Sequence, residues 1–86
     1  MSRLIPASER ILRARNQIQK ARNLPVPEEA GWRDFSYVAQ VKDILQQGRD
    51  LIKFIPYSPS ASAEMKDEVR QLFLELDQAE KEILHR

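Results

Sequence analysis

Apolar residues recur at helical spacing through three stretches of this chain, and two proline-containing segments separate the stretches. In the first, Leu4, Ile11 and Ile18 repeat every seven residues, with Ala7, Ala14 and Ala21 between them. In the second, Val38, Val41, Leu45, Gly48, Ile52 and Ile55 alternate steps of three and four, and Tyr37, Ile44 and Leu51 form a parallel line. In the third, Met65, Val69, Leu72, Leu76, Ala79 and Ile83 make an unbroken seam that Phe73 broadens. Residues three, four and seven apart share one face of an α-helix, so each stretch carries an apolar stripe that needs a neighbour to cover it.

Proline sets the boundaries. Leu24-Pro25-Val26-Pro27 stops the first helix, and Pro56-Tyr57-Ser58-Pro59 stops the second, because proline lacks the amide a helix needs. The expected helices span about 6–23, 34–55 and 60–84 of a single domain, 1–86, joined through 24–33 and 56–59. Pro6 is tolerated in a first turn. A serine among Ser58, Ser60 and Ser62 is expected to cap the third helix, whose Glu64, Asp67 and Glu68 suit its positive end. Short connections make sequential helices antiparallel. The predicted fold is all-α, a small up-down-up three-helix bundle.

Four side-chain placements follow. Gly48 in mid-helix costs about 1 kcal/mol relative to alanine, which a close helix crossing offsets, with Ala14 the predicted facing residue. The double stripe predicts that the second helix touches both neighbours. Trp32 and Phe35 are expected to staple the start of that helix onto the core, an exposed recognition surface being the alternative. Leu74 and Leu84 fall off the third seam and are the expected exposed apolar residues.

The total of 14 basic and 13 acidic side chains is nearly neutral, but the charge is sorted by position. Up to Asn23 the chain has Arg3, Arg10, Arg13, Arg15, Lys20 and Arg22 against Glu9 alone. From Ser58 it has seven acids, Glu64, Asp67, Glu68, Glu75, Asp77, Glu80 and Glu82, against Lys66, Arg70, Lys81 and Arg86. The first helix therefore either pairs with the third or meets a partner. Its cations, with Asn16, Gln17 and Gln19, are also able to lie on phosphates. Near-neutrality and the lack of aromatics interleaved with the basic residues make nucleic acid the lesser alternative.

Catalytic chemistry has little to work with. The absence of cysteine excludes disulfides, thiolate chemistry and cysteine zinc sites. The sole histidine, His85, suits the negative end of a helix better than general-base work. Glu64–Glu68, Glu68–Glu75 and Glu75–Glu82 read as a solvated or salt-bridged flank rather than a metal site. No glycine-rich phosphate loop, Glu-x-x-His motif or calcium loop is present. The expectation is no enzyme, no cofactor and no metal.

No apolar run reaches the ~20 residues that cross a bilayer. The Arg-rich, acid-poor N-terminus has the character of a mitochondrial presequence, yet its heptads run on into the fold. The compartment is left unassigned, with cytoplasm or nucleus favoured and the mitochondrial matrix the alternative. A core this small, without disulfide or metal, gains from oligomerisation or a partner. Ser58-Pro59 is a context for phosphorylation at a helix start. The leading expectation is a non-enzymatic helical adaptor or complex subunit, binding another protein through Arg10, Arg13, Lys20, Trp32 and Leu74. Self-association and nucleic-acid binding by the first helix are the rivals.

Ile11-Leu12-Arg13, followed by Lys20-Ala21-Arg22 and Leu24-Pro25, is similar to the start of LYR-motif proteins. That resemblance implies a small, basic, three-helix mitochondrial adaptor for assembling respiratory or iron–sulfur complexes. Leu12 stands where the motif has tyrosine, the second helix lacks the family's arginine-rich start, and the last third is more acidic. The resemblance assigns no binding residue.

Overall fold

The computed structural model describes residues 6–27 and 35–84. It contains α1 (Ala7–Asn23), α2 (Phe35–Ile52), a short 3-10 turn (Ile55–Tyr57) and α3 (Ala63–Leu84), with no strand among the described residues. Pro6 precedes α1, and its carbonyl accepts from the N–H groups of Glu9 and Arg10 at 3.0 Å. The helix stops at Leu24, which is extended (φ −64°, ψ 127°) because the ring of Pro25 disfavours helical geometry before it.

The second helix ends earlier than its apolar pattern implies. The pattern runs to Ile55, but regular helix stops at Ile52. Pro56 is the reason: its ring would collide with the carbonyl four residues back, that of Ile52. The chain tightens instead, with Tyr57 N–H donating to Phe54 O at 3.1 Å and Ser58 N–H to Ile55 O at 3.0 Å. Ile55 stays buried through this change of helix type. The third helix begins after its cap rather than at Ser60. Ser62 Oγ accepts from Met65 N–H at 3.1 Å, satisfying one of the free amides of the first turn.

The three stripes meet in one core. Ile11 and Ile18 of α1, Val41, Leu45 and Ile52 of α2, and Val69, Leu72 and Leu76 of α3 are all buried. Every helix touches the other two, and α1 lies closest against α2. The closeness comes from small residues. A methyl placed on Gly48 would sit 3.0 Å from Leu76 Cδ2, 3.4 Å from Gln17 Cβ and 3.7 Å from the Ala14 carbonyl oxygen. Gly48 therefore lies at the crossing expected for it, with Ala14 opposite.

Two burial expectations are corrected. Leu84 is buried (6% exposed), because α3 has a neighbour on each flank of its seam and Phe73, Glu80 and Leu84 share the flank turned toward α2. Phe35 is 90% exposed and staples nothing. It opens α2 on the polar side of the helix, away from the Val41 and Leu45 line. Leu74, at 58%, is exposed as expected. Trp32, the other half of the staple, lies outside the described residues, as do Arg3, Leu4, His85 and Arg86.

Candidate partner-binding surfaces

The acidic charge of α3 is largely engaged inside the bundle. Arg15 meets Glu68 at 3.3 Å and Glu75 at 3.8 Å, and Arg22 meets Glu82 at 2.7 Å. Both residue numbers rise together, so α1 and α3 run parallel, as an up-down-up order requires. On the other flank of α3, Asp77 and Glu80 hold Arg49 of α2 at 2.9 and 3.2 Å. The acidic flank thus acts as a salt-bridged ladder, and Arg15 and Arg22 are engaged by carboxylates rather than open to phosphates. Surface pairs of this kind are worth about 0–1 kcal/mol each, so they orient helices more than they stabilise them. Arg49 is the most covered of the three arginines, its side chain 19% exposed.

Arg10 and Arg13 come together on one wall of an open groove between α1 and α2, of about 550 Å³. Gln17 completes that wall, and Gln47, Asp50 and Leu51 form the other. Gln17 Nε2 donates to Gln47 Oε1 at 2.7 Å across the seam, and Gln47 Nε2 donates to Asp43 at 2.9 Å. Gln46 donates to Asp50 at 3.0 Å, and Lys53 lies 3.2 Å from the same carboxylate. Those two contacts, Gln46 first, hold the Asp50 carboxyl below the ordinary aspartate value. Arg13 is within 3.1 Å of Glu9, one turn away on its own helix.

Lys20 stands seven residues after Arg13 on the same edge of α1 and has no ion pair among the described residues. Leu74 projects from α3, so the structure separates it from the Arg10–Arg13 groove. Trp32, as noted, is not described.

Phe54, Tyr57 and Leu12, none of them a candidate on sequence grounds, are all exposed. Phe54 continues the line of Gln47, Asp50 and Leu51 by one turn, since Phe54 keeps helical geometry (φ −96°, ψ −8°). Its ring carries Lys53 Nζ 5.1 Å from the centroid. An aromatic at a polar-face position, two residues before a helix-stopping proline, was the available signal. Leu12 rims a second open groove of about 510 Å³ between α1 and α3, with Ile18 lining it beside Arg15 and Glu75. Beyond the turn, Ser58 and Ser60 place their hydroxyl oxygens 3.0 Å apart.

Among the described residues, no group of three or more acidic or histidine side chains is placed to hold a metal ion. No described helix is long and apolar enough to cross a membrane. No family model matches the chain, and no curated protein or solved structure is significantly similar to it. The class of the protein is therefore defined by its fold, a small all-α three-helix bundle.

Proposed function

We propose that this protein is a helical adaptor or complex subunit that acts by binding another protein rather than by catalysis. One observation carries the reading: the bundle holds large apolar side chains, Leu12, Phe54, Tyr57 and Leu74, out to solvent, Leu12 at the rim of an open groove. Aromatic residues and arginine dominate the energetics of protein interfaces. Presenting them on a rigid scaffold lowers the ordering cost of association. Most polar side chains that meet do so in exposed pairs, along one helix or between helices, which is how surfaces are organised rather than reaction centres.

The test is purification of the tagged chain from its source cells with low- and high-salt washes. A stoichiometric protein that survives high salt and is lost from Leu12→Ser, Phe54→Ser or Leu74→Ser variants of unchanged helicity supports the reading. Retention of every partner by all three variants refutes these contacts. Nucleic acid released steeply by salt would replace the proposal with phosphate binding by α1.

A further inference from the structure

We draw no further inference here: the strongest candidate, the exposed aromatic patch of Phe54 and Tyr57 at the turn between α2 and α3, carries none because nothing in the structure shows what covers it.

Discussion

Replacing Gly48 by alanine sets two known effects against each other at one atom. Alanine is favoured over glycine in a helix interior by about 1 kcal/mol, so on an open face the change would stabilise. At this crossing the new methyl lies 3.0 Å from Leu76 Cδ2 and 3.4 Å from Gln17 Cβ. Carbon atoms are at their optimum near 3.5–4.0 Å, so Leu76 must retreat by about half an ångström. Leu76 is fully buried, and its retreat pushes on core neighbours rather than into solvent. Overpacking of this kind costs about 1–3 kcal/mol. The balance is a net loss of about 1 kcal/mol, read as a Tm about 4–8 °C lower for a domain this size.

Urea unfolding should show a lower midpoint with an unchanged slope. A companion variant isolates the cause. Leu76→Ala alone should cost about 2–5 kcal/mol, and less by about 1 kcal/mol in the Gly48→Ala background, where the methyl fills part of the cavity. A Gly48→Ala protein more stable than the parent, or strictly additive variants, would refute the close crossing.

Other consequences are as specific. Ser62→Ala removes the acceptor for Met65 N–H and should lower stability by about 1 kcal/mol in thermal unfolding; no change would mean the cap is not used. Leu84→Ala should cost about 2–5 kcal/mol, whereas Leu74→Ala should stay within about 0.5 kcal/mol, and denaturant titration of the pair checks the flank assignment of α3. Because the Asp50 carboxyl is lowered in the fold, its contribution is present above 3.8 and lost as pH falls through the folded value. Gln46→Ala should move its NMR titration midpoint upward, and an unmoved midpoint would remove Gln46 as the main cause. Arg15→Gln with Arg22→Gln should change stability by no more than about 1 kcal/mol per pair and flatten its dependence on salt.

Heptad spacing and proline placement are local signals, and they determined the helix number, the all-α class and the glycine at the crossing; three serines stood as candidate caps, and the structure selects Ser62. A stripe such as Met65 to Ile83 states its own period without reference to any neighbour. The end of α2 was legible in principle from Pro56, but the apolar pattern carried the expected helix to residue 55, and the clash of the proline ring with the Ile52 carbonyl ends regular helix three residues earlier. Leu84 and Phe35 were beyond the pattern. Burial at a flank depends on where the adjacent helix lies, and Leu84 is covered because α3 is held on both sides.

The candidate groove divides the same way. Sequence placed Arg10, Arg13 and Lys20 on one helix, and periodicity put them on one edge of it. Tertiary structure decided that Arg15 and Arg22, only two positions away from Arg13 and Lys20, turn instead to the acidic ladder of α3. A step of two residues rotates a side chain about 200° around a helix, which separates an internal ion pair from a surface open to a partner.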